Sequence, residues 1–98
     1  MLFALRYEPR EVSEDDEKRS VTLFTHWKPP AGYEFKSHYA FADGNGGMAI
    51  VEAASTAAIV EAHAPWGPFF HFKITPIIEI EKAVPVFQRI QAWRDSIK

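Results

Sequence analysis

The sequence has 98 residues, of which 47% are hydrophobic, 24% are charged and 14% are aromatic, and its formal net charge is −2. This composition is typical of a globular domain and excludes a disordered chain, and the slightly acidic charge argues against a nucleic-acid partner. The absence of cysteine excludes disulfides, thiolate metal sites and a cysteine nucleophile.

Membrane and secretion signals are absent from the pattern of apolar residues. The apolar N-terminal run ends at Arg6, short of the roughly 7–15 residues of a signal-peptide core. No apolar run approaches the roughly 18–20 residues of a membrane span. We therefore expect a cytoplasmic protein with no membrane partner.

A strand and a helix are predicted for the N-terminal part of the chain. Residues 2–8 have a period of two, with Phe3, Leu5 and Tyr7 on one side and the polar Arg6 and Glu8 on the other, which indicates a strand that begins close to the first residue. Ser13 stands before four acidic residues, the order of an N-cap followed by side chains that the helix dipole stabilises. We expect this helix to run to about Trp27, because the pair Pro29-Pro30 cannot continue it.

A hairpin and a second helix are predicted next. Alternation returns from Tyr33 to Phe41, and residues 48–53 form the return strand after the turn at 43–47, which is rich in glycine. Ser55 is placed as the N-cap of a short helix over residues 56–63.

The C-terminal part predicts one more strand and one more helix. Residues 69–80 are mostly apolar and read as a strand, and Pro76 confines that end to a sheet edge or a bulge. Residues 82–97 carry apolar side chains at three- and four-residue steps, which indicates an amphipathic helix with Pro85 in its first turn.

The order of these elements predicts an α+β, ferredoxin-like fold, βαββαβ plus a C-terminal helix. Such a fold has a four-stranded antiparallel sheet with the strands in the spatial order 4-1-3-2. We expect one domain over residues 1–98, with 82–98 as the appended C-terminal helix.

Two helices cover only one face of such a sheet, so the other face must be polar or covered by something else. Alternation assigns Phe3, Leu5, Tyr7, Tyr39 and Phe41 to the covered face. It assigns to the uncovered face a mixture of charged and apolar residues, among them Arg6, Lys36, His38, Ile50, Glu52, His71 and Lys73. A face of this kind is typical of two copies that pack sheet towards sheet around a cavity, so we expect a homodimer.

Several motifs of the sequence resemble a known family. The motifs are Asp43-Gly44-x-Gly46-Gly47-Met48-x-Ile50-Val51-Glu52-Ala53, Ala64-Pro65-Trp66 and Ile74-Thr75-Pro76-Ile77-Ile78. They are similar to those of short bacterial proteins that form a domain-of-unknown-function family in the dimeric α/β-barrel superfamily. The resemblance implies the ferredoxin-like fold and a dimer, and no particular reaction. Monooxygenases and isomerases elsewhere in the superfamily offer only an analogy.

Three polar residues of the expected uncovered face are candidate catalytic groups. His38 or His71 could act as a general base, because imidazole titrates near neutral pH, and Glu52 could assist. The structural alternative is that Glu52 forms an ion pair with a neighbouring lysine or arginine. Two histidines and a carboxylate could also hold a metal, but their spacing is not that of a metal site, so we expect neither a metal nor a cofactor.

Other residues are candidates for ligand binding. Arg6, Lys36 and Lys73 favour a small anionic or carbonyl-bearing ligand, and Ile50 would add apolar contact. Trp66 could form a lid over a cavity and His63 could be a ligand to haem or substrate. The alternative is that Trp66 fills the end of the core and His63 caps its own helix.

Three functions follow from these observations. The first is a homodimeric small-molecule-binding protein with a mixed-polarity cavity between two sheets. The second is a cofactor-free enzyme of the monooxygenase or isomerase kind. The third is a structural or assembly role without a ligand.

Overall fold

The structure, a computed structural model, describes residues 1–98 as an antiparallel sheet with two helices on one face and a third helix at the C-terminus. This architecture confirms the predicted α+β, ferredoxin-like fold. The elements are β1 (Leu2–Pro9), α1 (Glu14–His26), β2 (Tyr33–Ala40), β3 (Gly47–Ala53), α2 (Thr56–His63), a 3-10 turn (Ala64–Trp66), β4 (Phe70–Ile77) and α3 (Ile80–Ser96).

The sheet has the strand order β2-β3-β1-β4, which is the predicted order 4-1-3-2 read from the other edge. All of its pairings are antiparallel. Pro76 lies on β4, an edge strand, and pairs with Phe3 of β1. No further strand lies beyond β4, so the missing N–H of proline costs no hydrogen bond on that side.

A bulge in β2 reverses the predicted alternation of its second half. The pairing with β3 shifts register between Phe35 and Ser37. His38 therefore lies opposite the buried Ala49, on the covered face, and Tyr39 lies on the uncovered face with 63% of its surface exposed. The sequence-based prediction was wrong for both residues, because one extra residue in a strand exchanges the faces of all that follow.

The predicted helix starts at Ser13 and Ser55 are confirmed. Ser13 and Asp16 form a reciprocal capping box, with each side chain accepting a hydrogen bond from the backbone N–H of the other residue. The Ser55 hydroxyl accepts from the N–H of Ala58. These side chains satisfy N–H groups that have no partner within the helix.

The boundary between β4 and α3 differs from the predicted one. β4 ends at Ile77 and α3 begins at Ile80, where Lys82 and Ala83 donate to the Glu79 carbonyl. Pro85 consequently lies in the second turn of α3 rather than in the first.

The core lies between the sheet and the first two helices. Its buried members are Phe3, Leu5, Tyr33, Ala49, Val51, Ala53, Ile59 and Ala62. In α3 only Ala83 is buried, and the whole chain is elongated, with extents of 62 × 30 × 20 Å. No helix combines the length and the apolar character that crossing a bilayer requires.

Candidate functional site

A cavity of about 240 Å³ lies between the covered face of the sheet and the helices α1 and α2. Of its 14 lining residues, 11 are hydrophobic. The lining residues are Leu5, Tyr7, Ser20, Val21, Phe24, Trp27, Tyr33, Phe35, His38, Ala62, His63, Trp66, Phe70 and Phe72. An apolar cavity of about 150 Å³ can already hold a benzene ring, so this one has room for a monocyclic ligand.

Six rings form a closed circuit around the floor of the cavity. Each ring centroid lies 4.7–6.0 Å from the next, within the range of aromatic contacts. In order, the circuit contains Tyr7, Phe72, His63, Tyr33, Phe35 and His38.

Three further rings roof the cavity. Phe24 in the last turn of α1, Trp27 at its C-cap and Trp66 in the 3-10 turn contact one another, with centroids 5.3–6.0 Å apart. Trp27 directly follows the helix, and its ring stacks on that of Phe24 at an interplanar angle of 21°. Trp66 is fixed by a buried hydrogen bond of 3.2 Å from its indole N–H to the Ser20 carbonyl oxygen.

The cavity opens to solvent at one side of α1. Val21 and Phe24, which both line it, are 65% and 49% exposed, and His38 beside them is also exposed. Tyr33 and Trp66 are buried. The cavity therefore has a mouth at Val21, Phe24 and His38 and a buried inner end.

An outer Tyr–His pair stands near this mouth. The Tyr7 hydroxyl lies 2.7 Å from Nε2 of His38, although the two residues belong to β1 and β2 with β3 between them. The side chain of Tyr7 reaches across β3 at Gly47. A side chain at position 47 would collide with the phenol of Tyr7 and with the carbonyl oxygen of Tyr39. Burial raises the pKa of Tyr7 and lowers the pKa of His38.

An inner Tyr–His pair lies deeper. The Tyr33 hydroxyl lies 3.0 Å from Nε2 of His63, which is the last residue of α2. Burial raises the pKa of Tyr33 to about 12 and lowers the pKa of His63 to about 4.

Both pairs are therefore uncharged at neutral pH. In each pair the hydrogen bond between the tyrosine oxygen and Nε2 occupies one nitrogen of the imidazole, and its direction depends on the histidine tautomer. No carboxylate, ammonium or guanidinium group lines the cavity. The site offers aromatic surface and a few neutral hydrogen-bonding groups.

Comparison with known proteins places this fold in a family. Residues 1–91 match the family described as Domain of unknown function (DUF3303). The chain belongs to this family. The DUF3303 match includes every residue of the cavity and ends within α3. No curated protein matches the chain.

Membership of DUF3303 confirms the expected relation to a family of domains of unknown function. The further placement in the dimeric α/β-barrel superfamily stays a prediction, as does the dimer that it implies.

The structure brings some of the sequence-predicted residues of this DUF3303 domain into the cavity and leaves others outside. His38 and Trp66 line the cavity. The strand pairings place Arg6, Ile50 and Lys73 on the uncovered face, with Arg6 opposite Lys73 and Met48 and with Ile50 opposite Ala4 and Ser37. Lys36 lies in the bulge, outside the cavity, with its ammonium 3.5 Å from Glu34.

The three candidate catalytic residues do not meet in one chain. His38 lies on the covered face, opposite Ala49, whereas His71 and Glu52 lie on the uncovered face. Glu52 and His71 are near opposite ends of the sheet, roughly 20 Å apart along the strands.

Glu52 and His71 also have partners other than those expected. Glu52 pairs with the N-terminal ammonium group of Met1 rather than with Lys36 or another lysine or arginine. His71 lies 3.4 Å from a guanidinium nitrogen of Arg10. Within a single chain neither histidine lies beside Glu52, and the catalytic roles expected of His38, His71 and Glu52 stay predictions. No group of three or more His, Asp or Glu is placed to hold a metal ion.

Sequence reasoning missed most of the cavity, because it assigned the aromatic residues to the core. Tyr7 was placed correctly on the covered face, but alternation does not show that its ring helps to enclose a space. Gly47 carried a signal, since glycine within a strand often marks a close approach by another group. Here that group is the ring of Tyr7.

Proposed function

We propose that the protein binds a small, planar, uncharged molecule in the cavity between the sheet and α1. The observation that carries this proposal is the aromatic enclosure of about 240 Å³, which contains two neutral Tyr–His pairs and opens beside His38. Pockets that are mostly apolar and hold a few polar groups are typical of small-molecule sites.

The lining of the cavity selects an uncharged ligand that carries one hydroxyl or carbonyl group. An anion would lose its hydration without gaining a counter-charge, because Arg6, Lys36 and Lys73 lie outside the cavity. The anionic part of the sequence-based expectation is therefore dropped from the proposal, and the carbonyl part is kept. A phenol or an aromatic ketone has the required shape and polarity.

Phenol is the simplest probe of this proposal. A ligand of this size is expected to bind with a dissociation constant on the order of 0.1–1 mM. At ten times that concentration it should stabilise the folded state by about 1.4 kcal/mol, enough to raise Tm by several degrees. Cyclohexanol has the same hydroxyl but no aromatic face, and we expect it to bind about 2–10 times more weakly.

Two matched tryptophan variants locate the binding site. Val21 and Val60 are both exposed helix residues, at 65% and 67%, but only Val21 lies at the mouth. We expect Val21→Trp to abolish phenol binding, measured by calorimetry, and Val60→Trp to leave it unchanged. Equal binding by both variants, or no binding by the unmodified protein, would refute the proposal.

Proton transfer at the outer pair is the second candidate function. His38 is exposed at the mouth, and burial lowers its pKa, so its imidazole is neutral and can accept a proton at neutral pH. The 2.7 Å contact with Tyr7 fixes the ring. With Nε2–H donating to the Tyr7 oxygen, Nδ1 of His38 would take a proton from the carbon next to the carbonyl of a bound aromatic ketone, which becomes the enolate, and would later return a proton to that carbon.

Deuterium exchange tests this second candidate. Acetophenone in D₂O should incorporate deuterium at its methyl group faster with the protein than without it, as measured by NMR. We expect His38→Gln to lose the acceleration and His71→Gln, on the other face, to keep it. An equal rate for the two variants would exclude His38 as the base.

Three further expectations from the sequence stay predictions. They are the cavity between two sheets, which requires a second copy, the structural role without a ligand, and the cytoplasmic location. The first is separate from the cavity described here, because it would lie on the opposite face of the sheet.

A further inference from the structure

The helix α3 (Ile80–Ser96) carries an apolar stripe that the rest of the chain leaves largely exposed, apart from the buried Ala83. Six large apolar side chains along the helix, and a seventh at its C-cap, are 39–63% exposed. They are Ile80, Val84, Val86, Phe87, Ile90, Trp93 and Ile97. At 100° per residue these positions fall on one half of the helix, and the other half holds Glu81, Lys82, Pro85, Gln88, Arg89, Ala92, Asp95 and Ser96. We call the apolar half the α3 stripe.

The α3 stripe is too large for an ordinary solvent-facing surface. Phe87 and Trp93 are 61% and 62% exposed, so these two rings alone show on the order of 250 Å². The whole stripe offers on the order of 700 Å², above the few hundred Å² of the largest apolar patch on a typical monomer. It is close to the roughly 800 Å² that each partner buries in a standard interface.

The shape of the chain keeps the α3 stripe away from its own core. The radius of gyration is 17.8 Å, against roughly 13 Å for a compact chain of this length. A helix of 17 residues is about 26 Å long. The helix thus extends from the body of the molecule and can be reached by a partner.

We propose that the α3 stripe binds the α3 stripe of a second copy of this chain, with the two helices antiparallel. Heptad spacing supports a helical partner, because Ile80, Phe87 and Arg94 repeat every seven residues, and Ala83, Ile90 and Ile97 do likewise. In an antiparallel pair centred on residues 88 and 89, Phe87 meets Ile90 and Ile80 meets Ile97.

Charge decides between the two orientations. Arg94 is the single ionisable residue within the apolar half of α3. Parallel helices would place the two Arg94 groups against each other in the seam. Antiparallel helices separate the two Arg94 groups and place each near Glu79 at the start of the other copy's helix, an acidic group whose carboxylate also lies 3.5 Å from Lys82 of its own chain.

This interface is independent of the proposed ligand cavity, and it differs from the sheet-to-sheet contact expected from the sequence. The uncovered sheet face exposes several charged residues, among them Arg6, Glu34 and Lys73. The apolar half of α3 contains a single charged residue, Arg94. A dimer through α3 would add no residue of α3 to the cavity mouth at Val21 and Phe24, because both of these residues belong to α1.

Sedimentation velocity of the full chain at micromolar concentration, with two matched variants, tests the interface. We expect the unmodified protein to be a dimer, Phe87→Glu to raise the dimer dissociation constant about thirtyfold or more, and Gln88→Glu on the opposite half to leave it unchanged. Circular dichroism verifies that both variants stay folded, which is expected because Phe87 is 61% exposed. A monomeric unmodified protein, or a Phe87→Glu dimer as tight as the Gln88→Glu dimer, would overturn the proposal.

Cysteine cross-linking tests the orientation, since the chain has no cysteine of its own. Under mild oxidation a mixture of Ile80→Cys and Ile97→Cys should form mixed disulfide dimers, and neither variant alone should do so efficiently. Efficient cross-linking of Ile97→Cys with itself would show parallel helices, and no cross-linking in any mixture would point to another surface. Either result would overturn the antiparallel pairing.

Discussion

The two Tyr–His pairs of the cavity have the same chemistry and different surroundings. Tyr33 is 6% exposed, and burial raises its pKa to about 12 and lowers the pKa of His63 to about 4. Tyr7 and His38 shift in the same directions, but His38 is exposed at the mouth. The two pairs share the same kind of hydrogen bond, so the difference between them comes from how far each pair is shielded from solvent.

This difference suggests a division of roles. The inner pair is held neutral over the whole physiological pH range, so it contributes to packing and polarity at the closed end. The outer pair can exchange protons and hydrogen bonds with an incoming molecule. Three predictions test this division, beginning with the largest effect.

The ring of Phe72 separates the two pairs, since its centroid lies 6.0 Å from that of Tyr7 and 4.9 Å from that of His63. Phe72→Ala should admit water to the inner end and cost about 3 kcal/mol of folding free energy. The pKa of His63, measured by NMR, should rise from about 4 towards the ordinary value of about 6.5.

Phe24→Ala is the matched control for this variant. Phe24 is a half-exposed ring that contacts His38 and no residue of the inner pair. It should leave the pKa of His63 unchanged. If the two alanine variants shifted that pKa equally, the inner pair would not be separately enclosed.

Acid should destabilise the protein through the inner pair. The folded-state pKa of His63 is about 4, below the value of about 6.5 in an unfolded chain. The unfolded state therefore binds this proton first, so the stabilisation is complete above about pH 6.5 and declines as the pH falls towards 4. With partial exposure taken into account, we expect a loss of about 2 kcal/mol.

Urea unfolding at about pH 7 and about pH 4.5 measures this loss. Carboxyl groups also titrate in this range, so the relevant quantity is the difference from His63→Gln, which removes the imidazole. His38→Gln should keep most of the pH dependence. An identical pH dependence in the unmodified protein and His63→Gln would contradict the burial of the inner pair.

The third prediction compares the removal of one hydroxyl from each pair. Tyr33→Phe leaves a partly buried His63 nitrogen without its partner, which should cost about 1–3 kcal/mol. Tyr7→Phe leaves His38 able to bond water, so the cost should be about 0.5–1 kcal/mol. Thermal unfolding of both variants measures the difference, and an equal or larger loss for Tyr7→Phe would reverse the assignment of inner and outer.

Local signals in the sequence predicted much of the fold. Ser13 and Ser55 began the helices where expected, because a capping hydroxyl acts on N–H groups two or three residues away. Pro76 marked an edge strand because it cannot donate to a neighbouring strand. Such features depend only on adjacent residues, so they can be read from one sequence.

The candidate site could not be predicted to the same degree, because it depends on contacts between distant residues. The bulge at Lys36 has no local signature in an alternating strand, yet it carries His38 to the other face. The roof of the cavity requires Phe24 and Trp66, 42 positions apart in the numbering, to meet above the sheet. Periodicity indicates that such rings are buried, and packing decides whether they fill the core or enclose a space.

A crystal structure with bound 4-bromophenol tests the central claim most directly, because the anomalous signal of bromine locates the ligand. The account predicts a bromine peak inside the cavity roofed by Phe24, Trp27 and Trp66, with the ligand hydroxyl bonded to Tyr7 or His38. Bromine bound only on the uncovered sheet face or along α3, with the cavity empty at saturating ligand, would contradict it.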